Sequence, residues 1–582
     1  MAVLSNAIVA ILALTATAIL LPKLTAVFLG LVFRGVGWLI WRRTRSRREY
    51  VIARARSEEE ELRASQPKGS ATSLPRNGAE DEDWEKVDSS GTGGVQTATG
   101  SESSGGTGEG SNQSSEDWDG IIGFFHPFWC YSNAGGGGER VLWEAICATQ
   151  KRWPKAICAI YTGDHEVNKA TMLERVENRF NIHLHAPTVV LLYLTTRKYV
   201  VSSSYPYMTL LGQSLGSLVV AYDAFTLLVP DVFVDTMGYA FTLALCKWLF
   251  PTVPVGAYVH YPTISTDMLA SLDDKSGVQG INSGAGKGWK GKIKRRYWEL
   301  FAKLYGWVGR QIDVVMCNSS WTAAHIRTLW GTDKKSSNSS GDGSPSSPAV
   351  VFPPTAVTEL QSTIAVDEES EKTRQPVLLY IAQFRPEKNH PLVLRSFARF
   401  LQERANNPAY EGHPLHVLCS LDPPDETHIY NLRLLAHELR IRDYTTFLCD
   451  ASWPAMLSHL STASVGVNAM WNEHFGICVV EYQAAGLICV THDSGGPRED
   501  IVVDLGDGAT GFRAETEEQF AASFEAALAL PEAEKLAMRQ RARRSAQRFT
   551  AEEFSRKWLD QVEKLVKASK VQLCDIPLEI DE

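Results

Sequence analysis

The sequence predicts an α/β protein with two doubly wound, Rossmann-like parallel-sheet domains that face each other across a cleft, preceded by a transmembrane helix. Apolar strand-like runs alternate with helical patterns in both halves of the chain, as in βαβ units. At 582 residues the chain is too long for one domain. Residues 2–21 carry no charge and match the roughly 20 residues that a helix needs to cross a bilayer.

The first element, residues 1–41, is interpreted as a membrane anchor. A second apolar run at 24–33 is about half a membrane span long, so the sequence leaves open whether 24–41 crosses the membrane or lies on it. An arginine-rich cluster at 42–48 follows and is expected on the cytosolic side. A cleaved signal peptide is the alternative, but its basic residues would precede the apolar core.

Residues 42–118 are expected to form a disordered tether, basic at its start and then rich in Ser, Gly and acidic residues. Such a composition buries too little apolar surface to fold alone. Two further polar insertions, 273–290 and 334–347, are predicted to be surface loops. The net charge of −9 argues against nucleic-acid binding, and ten cysteines without a Cys-x-x-Cys pair favour a reducing compartment.

Two globular domains are predicted, at 119–360 and 375–549. The predicted strands of the first domain are 121–125, 156–161, 217–221, 232–234, 255–260 and 314–317. Those of the second domain are 377–381, 416–419, 445–448, 465–470 and 487–490. Residues 225–250 are interpreted as a core strand and helix. The aromatic and basic segment 297–310 is interpreted as a domain helix, with a membrane-surface helix as the alternative.

A closing helix is predicted at 550–572. Thr550 and Glu553 have the spacing of a capping box that opens this helix. One face of the helix is apolar and carries Phe554, Trp558, Val562 and Leu565.

Two glutamates, Glu473 and Glu481, stand with seven residues between them at the junction of a predicted strand and helix. The helix is expected to stop at Gly486, a residue that commonly ends helices. In a strand–loop–helix unit, the loop and the first free N–H groups of the helix form an anion site. Glu473 would lie in the loop, and Glu481 just over a turn into the helix, where it could bind ribose hydroxyls.

A glycine run follows the first predicted strand. His126 ends that strand, and Gly135, Gly136, Gly137 and Gly138 with Glu139 lead into the next helix. Glycines let the backbone approach a ligand and direct N–H groups at phosphate oxygens. The run is neither a Walker loop nor a dinucleotide fingerprint, because it lacks the Lys-Ser/Thr pair and the third spaced glycine.

Together with the glycine-rich turn at 493–499, these motifs resemble the E-x7-E signature of retaining GT-B glycosyltransferases of the family 4 type. The resemblance implies the GT-B fold, with a closing helix that packs across both domains. It implies that Glu473 contacts the donor sugar and that Glu481 binds the ribose. The backbone of His474, Phe475, Gly476 and Ile477 is then expected to hold the donor diphosphate.

The segment 381–389 resembles the basic loop of the same family, which implies that Lys388 neutralises the departing diphosphate. The usual arginine position holds Gln383, and Arg385 follows two residues later, so which of the two contacts the phosphate stays open. His260 matches the acceptor-side histidine of the family. No Asp-x-Asp motif follows a strand in either domain, so neither a divalent metal nor another cofactor is expected.

Four longer segments resemble a more specific group within this family. The segments 126–140, 260–268, 382–390 and 471–476 resemble the eukaryotic dolichyl-diphospho-oligosaccharide α-1,2-mannosyltransferases. This implies retaining transfer from GDP-mannose to a dolichyl-diphosphate-linked oligosaccharide, as the fourth and fifth mannoses, at the cytosolic face of the endoplasmic reticulum (ER) membrane. Other early mannosyltransferases of that pathway are expected as partners.

Two alternatives remain at this stage. The chain could be another membrane-bound transferase of family 4, such as the UDP-GlcNAc:phosphatidylinositol transferase, or a GT-B scaffold without catalysis. The glycosylation acceptors at Asn318 and Asn338 offer a check of topology, because glycans there would place the globular domains in the lumen.

Overall fold

The first domain is a seven-stranded, fully parallel sheet in the order β3-β2-β1-β4-β5-β6-β7. The computed structural model describes residues 2–65, 118–127, 137–274, 284–331, 347–405, 415–418, 426–449 and 451–574. The strands are β1 (Ile121–Phe125), β2 (Ile157–Thr162), β3 (Val189–Tyr193), β4 (Val232–Asp235), β5 (Val255–Val259), β6 (Val314–Cys317) and β7 (Ala349–Val350). Burial of both sheet faces explains why these strands read as continuous apolar runs.

Helices cover both faces of this sheet. After the N-terminal helix α1 (Ala2–Ser65), the helices are α2 (Gly137–Arg152), α3 (Lys169–Phe180), α4 (Thr209–Leu227), α5 (Ala240–Leu249), α6 (Thr266–Ser271), α7 (Gly288–Gly309) and α8 (Ser320–Trp330). The predicted strand at 217–221 is wrong, because it lies inside α4. A short apolar run carries too little periodicity to separate strand from buried helix.

The second domain has a six-stranded parallel sheet in the order β10-β9-β8-β11-β12-β13. Its strands are β8 (Gln375–Ile381), β9 (Leu415–Leu418), β10 (Thr445–Leu448), β11 (Ala463–Asn468), β12 (Ile488–His492) and β13 (Gly511–Ala514). The flanking helices are α9 (Val357–Thr363), α10 (Glu368–Thr373), α11 (His390–Ala405), α12 (Glu426–Glu438), α13 (Trp453–Thr462), α14 (Ile477–Ala485), α15 (Glu517–Ala529) and α16 (Glu532–Ala546). The sequence did not predict β3, β7 or β13.

Two chain crossings join the domains. The first crossing lies between β7 and α9, and the second lies just before the closing helix α17 (Ala551–Cys574). Thr355 in the first crossing donates its N–H to the carbonyl of Phe549 in the second, at 3.0 Å. Val357 and Leu360 are buried in the core of the second domain, so the predicted end of the first domain at 360 is several residues too late.

The apolar face of α17 packs on the first domain. Trp558 is fully buried and stacks on Phe124 of β1, with ring centroids 6.3 Å apart. Arg152 of α2 pairs with Glu563 at 3.0 Å. At the start of the helix, the N–H of Glu553 donates to the Thr550 hydroxyl at 3.3 Å, which is one half of the predicted capping box.

The helix α1 is continuous over 64 residues, so the predicted tether starting at residue 42 is wrong for 42–65. Its last part docks on the first domain. Arg48 pairs with Asp231 at 2.6 Å, and Glu58 with Lys169 at 2.7 Å. Val51 is buried against the same domain. Tertiary packing thus orders a charged segment whose composition alone predicted a tether.

Two helices of the described residues are long and apolar enough to cross a membrane. They are the Leu24–Ser65 part of α1, whose apolar window is 11% buried, and α4, whose window is 39% buried. The exposure of the first fits the predicted anchor, whereas α4 packs against α5 and the first-domain core. Half of the predicted loop at 273–290 lies at 275–283, outside the described part, and its last residues, 288–290, belong instead to α7. The predicted loop at 334–347 lies outside the described part except for residue 347.

We predict that Gly37→Ala weakens the docking of α1, whereas Gly35→Ala does not. A Cβ at Gly37 would lie 2.0 Å from the carbonyl oxygen of Leu249 in α5, while Gly35 has open space. Overpacking should cost Gly37→Ala about 1–3 kcal/mol. Gly35→Ala should be neutral or gain up to about 1 kcal/mol from helix propensity. Thermal unfolding of the detergent-solubilised protein measures both, and equal behaviour of the two variants would contradict the packing seen here.

Candidate active site

The sheet topology places both halves of the candidate site. In each sheet the strand order reverses direction at a central strand, β1 in the first domain and β8 in the second. Ligands of doubly wound sheets bind outside the carboxyl ends of the strands at this switch point. The loops after β1, β4 and β5 therefore face the loops after β8 and β11 across the cleft.

The first-domain side of the cleft is a chain of hydrogen bonds through Thr236, which follows β4. Nδ1 of His126 lies 2.9 Å from the Thr236 hydroxyl, and Nε2 of His260 lies 3.1 Å from the Thr236 carbonyl. Burial lowers the pKa of His126 to about 3 and that of His260 to about 4. Both rings are therefore neutral. Because a carbonyl only accepts, Nε2 of His260 carries the proton and Nδ1 is left as an acceptor.

The second-domain side is centred on an ion pair between the two switch-point loops. Nζ of Lys388, after β8, lies 2.6 Å from Oε2 of Glu473, after β11. Nδ2 of Asn468 lies 3.5 Å from the same oxygen. Burial favours neutral forms of both ion-pair partners, but the pKa of Glu473 is lowered by Lys388 and that of Lys388 is raised by Glu473. Both groups stay charged.

The glycine-rich turn after β12 supports the loop that carries Glu473. The N–H of Gly496 donates to the Glu473 carbonyl at 2.8 Å, and the N–H of Asn472 donates to the Ser494 hydroxyl at 2.7 Å. Gly495 has a φ of 64°, and a Cβ there would lie 2.2 Å from the Glu473 carbonyl oxygen. Only glycine fits this position, so the turn fixes the backbone of Glu473.

The helix that begins four residues after Glu473 has the predicted form. Gly476 precedes α14 with a φ of 105°, and Gly486 ends it with a φ of 78°. Glu481 lies in the second turn, where burial raises its pKa to about 7 against the opposing charge of Arg140. The N–H groups of Val479 and Val480 donate to the Gly476 carbonyl, whereas the first N–H groups of a helix, at Ile477 and Cys478 here, precede any carbonyl partner in the helix.

The side chain of Phe475 is part of the hydrophobic core and does not line the cleft. Its ring is buried and packs on Phe352 and Phe549, with centroid distances of 5.7 and 5.4 Å. The expected contact of its backbone with the donor stays a prediction.

The glycine run meets both sides of the cleft. Gly137 and Gly138 form the start of α2, while Gly135 and Gly136 lie outside the described residues. A Cβ at Gly137 would lie 2.2 Å from Cδ1 of Ile477 in the other domain, and one at Gly138 would lie 3.7 Å from Nε2 of His260. Glu139 is buried in the first turn of α2. Gly137 thus allows close approach between the domains, and Gly138 allows close approach to His260 within the first domain.

His474 crosses the cleft by stacking. Its ring lies 4.0 Å from that of Tyr261, with an interplanar angle of 25°, and 5.7 Å from that of Trp321. Burial lowers the pKa of His474 to about 4, so the stacked ring is neutral.

Arg385 and Gln383 lie beside the ion pair in sequence but differ in environment. Arg385 is exposed and precedes the 3-10 turn Pro386–Lys388, whereas Gln383 is half-buried. Lys388 is the basic residue of this loop that pairs with Glu473. The contact of Arg385 or Gln383 with a phosphate stays a prediction.

Sequence reasoning missed Asn468, Thr236 and the supporting role of Ser494. Asn468 and Thr236 share a signal, a polar residue at the carboxyl end of a buried apolar strand. Among the residues described here, no group of three or more His, Cys, Asp or Glu side chains is arranged to hold a metal ion. Metal independence stays a prediction.

Comparisons with known proteins agree with this fold. The N-terminal family model described as "ALG11 mannosyltransferase N-terminus" matches residues 119–330, and "Glycosyl transferases group 1" matches residues 362–548. Among solved structures, the sucrose-phosphate synthase of Thermosynechococcus elongatus covers 77% of this chain and 100% of its own, at 15% identity and a TM-score of 0.53. A trehalose 6-phosphate synthase from Burkholderia multivorans has a TM-score of 0.52 at 12% identity, with 78% and 100% coverage. The chain is a GT-B glycosyltransferase.

Relatives in sequence identify a more specific family than the structural comparisons do. A Neurospora crassa protein named GDP-Man:Man(3)GlcNAc(2)-PP-Dol alpha-1,2-mannosyltransferase is 53% identical over 94% of this chain and 96% of its own length. The human protein of the same name is 43% identical over 77% of this chain and 87% of its own. The chain belongs to this mannosyltransferase family, as its motifs predicted.

We predict opposite pH dependences for Glu473→Gln and Glu481→Gln. The pKa of Glu473 is lowered from 4.5, so its carboxylate stabilises the fold above pH 4.5, and that contribution is lost as pH falls through the lower folded-state pKa. Glu473→Gln should therefore cost about 3–5 kcal/mol near neutral pH, since it leaves Lys388 unpaired, and much less in acid.

The pKa of Glu481 is instead raised from 4.5 to about 7, so ionisation favours the unfolded chain between these values. Glu481→Gln should become more stable relative to wild type as pH rises through that window. Urea unfolding across the acid-to-neutral range measures both variants. Parallel curves for the two variants would show that the environments of the carboxyl groups are not those described.

Proposed function

We propose that the protein transfers mannose from GDP-mannose, with retention of configuration and in α-1,2 linkage, to dolichyl-diphosphate-linked oligosaccharides. The acceptors are the trimannosyl and tetramannosyl GlcNAc2 species, which receive the fourth and fifth mannoses. The observation that carries the proposal is the buried Lys388–Glu473 pair at the switch point of the second domain. Family membership supplies the identity of donor and acceptor, because no residue pattern here distinguishes guanine from uracil.

Lys388 would stabilise the leaving group. When the bond between mannose C1 and the β-phosphate oxygen breaks, negative charge develops on the diphosphate. Lys388 is held charged in a nearly buried position, with its side chain 20% exposed, so it can offset that charge without reorganising. The free amides at the start of α14 add partial positive charge at the same place. These groups account for leaving-group stabilisation without a divalent metal.

Glu473 would orient the sugar rather than attack it. Its Oε2 is occupied by Lys388, and its backbone is fixed by Gly496. In the proposed step the acceptor hydroxyl attacks C1 from the face that GDP leaves, and its proton passes to the β-phosphate. One C–O bond breaks, one forms, and GDP carries away both the electron pair and the proton.

Glu481 would bind the ribose of the donor. Its position in the second turn of α14 is one turn beyond the amides that face the diphosphate. A carboxyl group with a pKa of about 7 can both donate and accept hydrogen bonds near neutral pH, which suits two adjacent ribose hydroxyls.

The proposal places the globular domains on the cytosolic side of the ER membrane. The exposed apolar part of α1 would be the anchor, with the arginine cluster at 42–48 on the cytosolic side. α7 presents exposed Trp289, Ile293 and Trp307 among lysines and arginines, a composition that favours a lipid headgroup region. Such a surface on the first domain supports an acceptor that stays anchored by its dolichol chain.

Asn318 is buried, with 4% of its surface exposed. A glycan does not fit at this buried position of the folded domain, so an unmodified Asn318 does not report on topology. Asn338 lies outside the described residues.

We predict that the detergent-solubilised protein converts dolichyl-diphosphate-linked Man3GlcNAc2 to products one and two hexoses heavier when GDP-mannose and EDTA are supplied. An α-1,2-specific mannosidase should trim the products back to the acceptor. Mass spectrometry of the released glycans measures both steps. Glu473→Ala should lower turnover by about 100-fold or more, as loss of a positioned active-site group does.

The matched control is Glu499→Ala, which removes an exposed carboxylate from the supporting glycine-rich turn and should retain activity. Transfer from a UDP-sugar in place of GDP-mannose would refute the donor assignment. Activity that vanishes with EDTA and returns with a divalent cation would refute metal independence.

We also predict that a C-terminal epitope tag is removed by protease added to sealed microsomes. A lumenal marker protein should survive in the same sample until detergent is added. Protection of the tag together with the marker would place the catalytic domains in the lumen and contradict the proposed orientation.

A further inference from the structure

Asp267 joins the two domains beside the Glu473 loop. This residue lies in the first turn of α6, in the first domain. Its Oδ2 lies 2.8 Å from Nδ2 of Asn472 in the second domain. The same oxygen lies 3.3 Å from Nε1 of Trp321 and 3.4 Å from Nε2 of His325, both in α8. One carboxylate oxygen thus collects donors from both sides of the cleft.

Asn472, which directly precedes Glu473, is held in an unusual conformation. Its φ of 51° lies in the left-handed region, which residues other than glycine adopt only at a cost in free energy. Its N–H is bound to Ser494 and its side-chain amide to Asp267, so both polar groups fix this conformation. The residue is 8% exposed.

The residue after Glu473 is also anchored on the first domain. His474 stacks on Tyr261 at 4.0 Å, and Tyr261 is nearly parallel to Trp321. Glu473 is therefore flanked on both sides by contacts with the first domain, while its own carboxylate pairs with Lys388 of the second. The direction of the Glu473 side chain depends on how the domains are seated.

We propose that Asp267 is a positioning residue whose hydrogen bond with Asn472 couples closure of the cleft to the orientation of Glu473. When the domains separate, Asn472 loses its partner and the strained backbone is free to relax. Glu473 then leaves the orientation required for transfer. The inference rests on the proposed role of Glu473 in holding the donor sugar.

The Asp267–Asn472 bond is expected to affect turnover but not binding of the GDP-mannose donor. Lys388 and Glu481, which would hold the diphosphate and ribose, lie in the second domain, and neither has a hydrogen bond to Asp267 among the described contacts. Loss of the Asp267–Asn472 bond should therefore lower kcat while KM for GDP-mannose changes little. A structural role would instead lower thermal stability and all kinetic constants together.

The test compares Asp267→Ala, Asn472→Gly and the double variant. Glycine keeps the left-handed backbone of residue 472 without strain and removes only the amide. Each single variant should lower kcat about 10- to 100-fold, as expected for a lost hydrogen bond to a charged group. The double variant should be no slower than the worse single variant, because both remove the same interaction. GDP-mannose KM should stay within about twofold in all three.

A rescue variant makes the test stricter. Exchanging the pair as Asp267→Asn with Asn472→Asp restores an amide–carboxylate hydrogen bond across the same gap. It should recover part of the kcat that Asp267→Ala loses. Wild-type kcat in both single variants, independent losses that multiply in the double variant, or a melting temperature that falls in proportion to activity would each overturn the proposal.

A second readout does not need turnover. Spin labels introduced through a non-canonical amino acid at exposed Glu174 in α3 and Arg433 in α12 report the distance between the domains. Asp267→Ala and Asn472→Gly should broaden the distance distribution relative to wild type, and an unchanged distribution would overturn the coupling. If the wild-type protein transfers no mannose, the proposed function fails. The distance measurement still tests whether the Asp267–Asn472 hydrogen bond holds the domains together.

Discussion

The Lys388–Glu473 ion pair is the interaction on which the candidate site depends. It connects the loops that leave two adjacent strands, β8 and β11, at the point where the sheet reverses its order. Burying two charges is costly, and the cost is offset only when each has its partner in good geometry. The lysine is therefore charged and held in place before any ligand binds. In the proposed function, the donor diphosphate would compete with Glu473 for the charge of Lys388.

The glycines of the site serve this pair. Gly495 lets a second turn pass close enough to hold the Glu473 backbone, and Gly137 lets α2 approach Ile477 from the other domain. A Cβ at Gly495 would displace backbone atoms, so that position tolerates only glycine. A Cβ at Gly137 would displace only the end of the flexible Ile477 side chain. The two glycine runs therefore differ in kind: one fixes geometry within a domain, and the other permits contact between domains.

The sequence predicted most of what is local. The strand–loop–helix unit around Glu473 and Glu481, the helix end at Gly486 and the placement of Lys388 after a strand all follow from short patterns. The docking of 42–65 was missed because ordering of that segment comes from partners such as Asp231, more than 180 residues away in the chain. The Asp267–Asn472 bond spans 205 residues and has no sequence signal, since either side chain alone reads as an ordinary polar surface residue.

The paired crossings at Thr355 and Phe549 have a mechanical consequence. Both α1 and α17 are packed on the first domain, and the chain passes between the domains at two crossings that are hydrogen-bonded to each other. Adjacent crossings of this kind leave one easy motion, a rotation about their common line. In the proposed function, with α1 in the bilayer, that rotation would move only the donor-binding domain through water. The lipid-linked acceptor would then keep its place in the membrane while donor is exchanged for product.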